Sequence, residues 1–468
     1  MIGIKPQGKQ NEVLALPAKG HTVVLGTAGS GKTTIALLRA IHLSKLPGDE
    51  KVLLVTFNGA LVKYMRGICD VQSSNLTVEN YHKFARGYLN SRGKMPKRNG
   101  ILGPEGKEYY IQQSVDYFVG LYPAESTLKR SINFFDEEIA FIERFGFASF
   151  DDYYKAERVG RASANIKRDN RKWIYNVYSK YIELRRADRY EYDWDDLAYH
   201  VYNELQKDLT QRRYNHIIVD EGQDFSPMMI KSLVSAVADG GSFTFFGDVA
   251  QQIYGSRLSW RDSGICVDRI WNFEVNYRNP STIISFASDI MKSHYWKQDA
   301  DTIKPTMQIA KGPKPILVSF KSKQKELEWV IRRVITIGRM SSTVIICRNR
   351  MIVDMFKSEL KKNGCMATEI NKETPGYAHV KTVYLTTFHA AKGLEFDNVF
   401  IPFLTDNIFP DKETIESSES VEEAYADEIK LLYVAVTRSK YGLYMSYHEQ
   451  LSMLFPVESK NYEYNEGE

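Results

Sequence analysis

The stretch "VVLGTAGSGKTTIALL", residues 23–38, constrains the chain most. An apolar run that reads as a buried strand meets a small, glycine-rich turn and continues as an apolar-striped helix. Gly26 to Thr33 spell G-x-x-x-x-G-K-T. Glycines let such a turn curl until its N–H groups point inward at phosphate oxygens, and the helix N-terminus adds partial positive charge. Gly29, Ser30 and Gly31 would form the cradle, and Lys32 would reach the β- and γ-phosphates. Thr33, followed by Thr34, would place its hydroxyl on Mg²⁺. A second strand, "KVLLVTF" (51–57), follows at the distance of a βαβ unit. The expected class is α/β, with parallel sheets flanked by helices and a nucleoside triphosphate at a strand end.

Such a loop needs a second acid for its metal. "HIIVDEGQD" (216–224) supplies one, because an apolar strand carries Asp220 to its C-terminal edge. Asp220 would hold Mg²⁺ through the water shell, and Glu221 would polarise an attacking water. The chemistry expected is hydrolysis of a nucleoside triphosphate.

Other readings narrow quickly. The 468 residues leave room for roughly two to four domains. No run approaches the ~20 apolar residues of a membrane span, and "MIGIKPQGKQ" lacks a signal-peptide core. A cytoplasmic protein is expected, with no membrane partner. Cys69, Cys266, Cys347 and Cys365 show no C-x-x-C spacing, which argues against a zinc site or an iron–sulfur cluster. The net charge of +4 says less than its distribution. Basic clusters in "NSRGKMPKRNG" (90–100) and "ANIKRDNRKW" (164–173) read as phosphate contacts or as solvated faces.

Further segments fall in a telling order. "KQNEVL" (9–14), "LLVTFNGAL" (53–61), "VENYHKFA" (78–85) and "YDWDDLAYH" (192–200) surround the two phosphate motifs. "FGDVAQQIYGSR" (246–257), "FEVNYRNPSTI" (273–283), "TTFHAAKGLEF" (386–396) and "LLYVAVTRSK" (431–440) follow. Together with "GTAGSGKTT" and "VDEGQD", this series resembles the motifs of superfamily 1A DNA helicases of the UvrD/Rep/PcrA type, over nearly the whole chain.

The resemblance implies two RecA-like domains with ATP between them. The first would supply Gln10, reading adenine, with Lys32, Thr33, Asp220, Glu221 and Gln251. The second would supply Arg278 and Arg438 across the cleft and Glu395 toward the ribose, with Tyr277 stacking on adenine. Two arginines reaching across a cleft make hydrolysis report its closure. Single-stranded DNA would cross both domains by way of Thr56, Phe57, Asn58, Tyr81, His82, Tyr254, Arg257, Thr387 and His389. In motif III the family carries a tryptophan just before the arginine; here that position is Ser256, and Trp260 is the expected substitute. Motif VI also departs, since "DEIK" (427–430) keeps Glu428 but lacks the family's arginines.

The expected division is domain 1A over 1–86 and 190–275, a helical 1B insertion over 87–189, and domain 2A over 276–468. The segment between "RNRMIVDMFKSELKKNGC" (348–365) and motif V is too short for a 2B insertion. The acidic tract 411–428 reads as a solvated loop running into the motif VI helix. The implied activity is an ATP-dependent, 3′→5′ single-strand translocase and helicase using Mg²⁺. The alternative is a DNA-stimulated motor serving a partner nuclease, as in helicase-like subunits of bacterial anti-phage systems. The intact Lys32, Asp220, Glu221, Arg278 and Arg438 argue against an inactive scaffold.

Overall fold

The alternation of short apolar runs with helical periodicity forms two large parallel sheets in a computed structural model, beside a two-stranded pair of Ile101–Leu102 with Tyr192–Asp193. It describes residues 6–57, 59–68, 75–96, 100–156, 166–248, 260, 263–266, 269–296, 312–370, 382–418 and 420–467. The first sheet contains β1 (Gly20–Gly26), β2 (Val52–Thr56), β3 (Leu76–Asn80), β4 (Tyr214–Asp220), β5 (Val237–Gly247) and β6 (Ile270–Phe273). Their order is β3-β2-β4-β5-β1-β6, every pair parallel. The second contains β7 (Ile316–Phe320), β8 (Thr343–Cys347), β9 (Thr368–Glu369), β10 (Val383–Thr387), β11 (Phe396–Ile401), β12 (Ser439–His448) and β13 (Glu463–Glu466). Its order is β9-β10-β8-β11-β12-β7-β13, again parallel throughout.

Both faces of each sheet are covered, which is why the central strands are apolar without alternation. In β1, Val24 joins one core while Val23 and Leu25 join the other. In β8, Val344 and Ile346 face one layer and Ile345 and Cys347 the opposite one. The strand ends gather the motifs: Gly26, Thr56 and Asp220 close β1, β2 and β4, and Thr387 closes β10.

Helix α1 (Lys9–Leu14) precedes β1 and α2 (Lys32–Leu43) follows it. Arg39 of α2, wholly buried, donates to Val13 O, Leu16 O and Pro17 O. It thereby ties the end of α1 to the sheet.

Between β3 and β4 the chain builds α3 (Pro104–Leu121), α4 (Ile132–Phe145) and α5 (Arg171–Ala187) around their own apolar core. It returns through α6 (Leu197–Lys207). Arg171, inside the second basic cluster, is buried and donates to the carbonyls of Tyr153, Tyr154 and Ala156. That guanidinium closes a helix end and is not free for phosphate. The acidic tract is a correction too: it is helical over Lys412–Ser417 and again in α7 (Val421–Val436). Glu422 and Glu423 sit in the first turn of α7, where the helix dipole favours negative charge.

Candidate nucleotide and strand site

β1 delivers Gly26 to the turn, and α2 begins at Lys32 with Gly31 as its N-cap. Gly29 and Gly31 hold φ of 72° and 84°, which side-chain-bearing residues rarely adopt. Lys32 Nζ donates to the carbonyls of Gly26 and Thr27, each at 2.8 Å, and lies 3.3 Å from Asp248 Oδ2. Gln10 Nε2 donates to Ser30 O at 2.9 Å, which puts the first motif directly against the loop.

Buried polar atoms usually have partners. Here Thr27 Oγ1, Ser30 Oγ, Thr56 Oγ1 and both oxygens of Asp220 are buried without a hydrogen-bond partner among the described residues. They lie in the turn or at the ends of neighbouring strands β2 and β4. Hydroxyls and a carboxylate left unsatisfied beside a buried ammonium fit a triphosphate with a hard, oxygen-seeking cation. Thr33 and Asp220 would hold that cation; when bound, it neutralises charge on the phosphates.

Glu221 takes a left-handed backbone at φ 53°, a conformation that costs a non-glycine residue about 1–3 kcal/mol and collects at functional sites. Gln223 Nε2 donates to Glu221 Oε2 at 2.5 Å and Gln223 Oε1 accepts from Asp248 N at 2.8 Å, which orients the carboxylate. Burial, then the Glu221 charge, push Asp220 up to about 7. Burial pushes Glu221 the same way, but Lys32, Lys392, Gln223 and Arg438 outweigh it and hold the acid below its usual range. Two adjacent carboxyls are thus driven apart, one toward holding its proton up to about pH 7 and one toward a permanent anion.

A raised acid pKa favours the fold while the proton is held. That contribution is complete below about pH 4 and is lost as pH climbs through about 7. Asp220→Asn therefore raises the melting temperature at pH 8, by roughly 2–4 °C for each kcal/mol relieved, and changes it little at pH 4. Scanning calorimetry at the two pH values checks this; equal shifts at both would remove the electrostatic reading.

The segment that leaves β6 folds back over the turn. Asn276 Nδ2 donates to Ala28 O at 2.6 Å and Tyr277 N to Gly29 O at 2.9 Å, so the "NYRN" segment lies on the phosphate turn. The Tyr277 ring stays exposed beside it. Asn279 Nδ2 donates to the Thr437 and Ser439 carbonyls, linking that segment to motif VI. Arg278 Nε lies 2.8 Å from Glu395 Oε2, and Lys440 Nζ 2.6 Å from Glu395 Oε1. Arg438 is buried, and its hydrogen bonds go to neutral oxygens: Val434 O, Leu394 O and Thr437 Oγ1. Burial, then Arg278, press its pKa down to about 10. Lys392 forms a buried ion pair with Asp224, joining the turn after β10 to the turn after β4.

The strand candidates divide. Thr56 is wholly buried at the end of β2. Tyr81 has no exposed surface and its hydroxyl bonds Ser232 Oγ at 2.8 Å; it is a core residue, with no ring face for a base. Phe57 and His82 are half-buried and meet edge-to-face at 5.5 Å. The Trp260 ring is half-buried and packs edge-to-face on Phe245 at 4.9 Å, against the first core. Thr387 is half-buried and takes the amide of Ala390. His389 keeps an exposed face, while desolvation of the rest, then Arg348 and Lys392, lower its imidazole to about 4. It offers a neutral ring at pH 7. Asn58, Gln251, Tyr254 and Arg257 lie outside the described residues.

Residues 7–265 match the UvrD/REP helicase N-terminal domain, and residues 271–375 and 366–450 match the UvrD-like helicase C-terminal domain. The chain belongs to the UvrD/REP helicase family. Its class is therefore that of ATP-dependent DNA helicases. A "Probable DNA helicase" of Mycoplasma pneumoniae is 22% identical over 461 residues, covering 91% of this chain and 80% of that one. A "Probable DNA helicase II homolog" of Mycoplasma genitalium is 22% identical over 391 residues, covering 72% of this chain and 51% of that one. An "Exonuclease/helicase subunit RexA" of Lactococcus lactis is 24% identical over 153 residues, 29% of this chain and 12% of that one.

Within this UvrD-type chain, Trp194, Arg348 and Lys392 contribute to the site without a signal that singled them out, and Asp224 was visible only as the last residue of the D-E-x-Q-D motif. Trp194, partly exposed, meets His82 edge-to-face at 5.0 Å and extends the Phe57–His82 aromatic row. Arg348 makes a two-pronged pair with Glu428, fixing the helix that leads to Arg438 where the family's arginines are lacking. Asp224 and Lys392 form the bridge between the sheets. Lys392→Met leaves Asp224 buried without its cation and should cost about 3–5 kcal/mol. Chemical denaturation of this variant, compared with Lys392→Met/Asp224→Asn, is the measurement; the double variant recovers much of the loss.

Proposed function

We propose that this chain is a single-strand DNA translocase that separates duplex in the 3′→5′ direction, coupling ATP hydrolysis to movement of one sheet against the other. The observation that supports this most is the turn from Thr387 to Glu395. Its first residues include two strand candidates, Thr387 and His389. Its middle carries Lys392, paired with Asp224, and a Cβ at Gly393 would stand 3.9 Å from Glu221 Oε1. Its end offers Leu394 O to Arg438 and Glu395 to Arg278. One short turn thus adjoins the strand candidates, the hydrolytic carboxylate and both arginines. Displacement of that turn by DNA would move Lys392 and Arg438 together relative to Glu221.

On this reading, residues 1–86 and 190–275 form domain 1A, 87–189 form accessory domain 1B and 276–468 form domain 2A. ATP sits against Gln10, Tyr277 and the Gly29–Thr34 cradle, with Mg²⁺ on Thr33 and Asp220. The test is steady-state ATP hydrolysis with and without single-stranded DNA, followed by unwinding of duplexes with 3′ or 5′ tails. Strong stimulation and a 3′-tail requirement are expected; an unstimulated rate would remove the coupling. The match to an exonuclease/helicase protein favours a second reading, a motor that serves a nuclease. Stimulated hydrolysis without unwinding would select it.

A further inference from the structure

Glu395 stands between two cations. Arg278 Nε lies 2.8 Å from its Oε2, and Lys440 Nζ lies 2.6 Å from its Oε1. The sheet builds the second contact. Phe396 at the start of β11 pairs with Ser439 at the start of β12, and Phe396 N donates to Arg438 O at 3.0 Å. Glu395 and Lys440 flank that pair on neighbouring strands. The register then shifts, because Asn398 pairs with Gly442, and β12 gains a residue over β11 within this stretch. Such bulges re-aim side chains beside functional sites. Lys440 lies inside this one, with its ammonium against Glu395.

Arg278 rises from the phosphate turn. A Cβ at Gly29 would stand 2.8 Å from Arg278 Cβ, and Arg278 N donates to Asn276 Oδ1 at 2.9 Å. The guanidinium comes closest to Glu395 through Nε, and neither terminal nitrogen makes a hydrogen bond among the described residues. The same protein holds a second arginine–glutamate pair of different form. Arg348 donates to Glu428 through both Nε and Nη2, and Glu428 pairs with no other cation among the described residues. A two-pronged pair is what a guanidinium and a carboxylate commonly adopt. The difference at Glu395 is the lysine on its other oxygen.

We propose that Lys440 is a positioning residue for ATP hydrolysis. By holding Glu395 Oε1 it keeps that carboxylate from grasping Arg278 with both oxygens, and so leaves the terminal nitrogens of Arg278 to a phosphate. This rests on the reading of Arg278 as one of the two arginines directed at the nucleotide. Without the ammonium, Glu395 has Arg278 as its only cation and takes it as Glu428 takes Arg348. The donors meant for phosphate then turn to the carboxylate. The three side chains of Arg278, Glu395 and Lys440 are 21%, 22% and 31% exposed, so solvent screens their charges less than it does on an open surface.

Steady-state ATP hydrolysis by the full chain with single-stranded DNA present tests this, with kcat and KM read separately. Lys440→Met keeps the length of the side chain and removes its charge. It lowers kcat by about tenfold, with KM near that of the parent, as expected when an interaction of the transition state is lost. Lys440→Arg keeps a cation and recovers most of the rate. On a Glu395→Gln background the cost of Lys440→Met disappears, because the competing carboxylate is gone. A parent-like kcat in Lys440→Met, an equal loss in Lys440→Arg, or an undiminished cost beside Glu395→Gln overturns the role of Lys440. Arg278→Ala separates this from the reading beneath it. Normal turnover in that variant removes Arg278 from the chemistry and the role of Lys440 with it, whereas a loss there beside an unchanged Lys440→Met overturns the role of Lys440 alone.

Discussion

Arg438→Ala should lower ATP turnover by about 10³- to 10⁵-fold, the range that an arginine directed at a transferring phosphoryl group supplies. The environment of this side chain explains why the loss is large. Arg438 is buried, and each of its hydrogen bonds goes to a neutral oxygen. Arg278 adds a second positive charge beside it and depresses its pKa. Arg278 is itself paired with Glu395, whereas Arg438 is buried with no carboxylate among its hydrogen-bond partners, so an anion reaching Arg438 gains the most. The fold maintains that arrangement by tying Arg438 to motif V through Leu394 O, and by anchoring the preceding helix through Arg348 and Glu428. Steady-state hydrolysis gives the rate, and fluorescent-nucleotide binding shows whether the pocket survives. Arg438→Lys separates charge from shape, since it keeps the cation but loses the planar fork. A variant of normal turnover would remove Arg438 from the chemistry.

Glu221→Gln should lower turnover by about 10²- to 10⁴-fold, the usual contribution of a positioned general base. The substitution keeps the size of the side chain and removes its charge. Lys32, Lys392, Gln223 and Arg438 all favour the Glu221 anion, so the native side chain is ionised throughout the neutral range. Nucleotide and strand binding should persist, because neither rests on this carboxylate. Single-turnover hydrolysis, compared with equilibrium nucleotide binding, separates the two effects. An equal loss in both would place Glu221 in binding instead.

The phosphate site was readable from sequence because its signals are local. A strand, a glycine turn and a helix occupy consecutive residues, and Asp220 ends an apolar run that leads straight into D-E-x-Q-D. The strand side was harder to read. Tyr81 lies in a segment that resembles a DNA-contact motif, but α-helical geometry turns its ring inward against Phe225. Trp260 is half-buried and meets Phe245 of β5 edge-to-face, a contact that its local sequence does not announce. The bridge between Lys392 and Asp224 joins residues far apart in the chain, and nothing in either local pattern announces the other. Hydrophobic periodicity likewise passes over Lys107 and Arg185, because it treats charged residues as solvated and these two are buried.

The strand order of the first sheet bears on how the protein is made. Among the described strands, β1 pairs only with β5 and β6, while β2 pairs with β3 and β4. The phosphate loop therefore leaves the ribosome attached to a strand that has no neighbour yet. At about 5–20 residues per second, roughly 10–40 s pass before β5 emerges to pair with it. Throughout that interval an apolar strand edge is available to chaperones and to other nascent chains. Truncations ending before residue 237 would leave β1 without either of its partners. The nucleotide site thus depends on a strand that is paired on neither side until residues 237–247, far along the chain, have been synthesised.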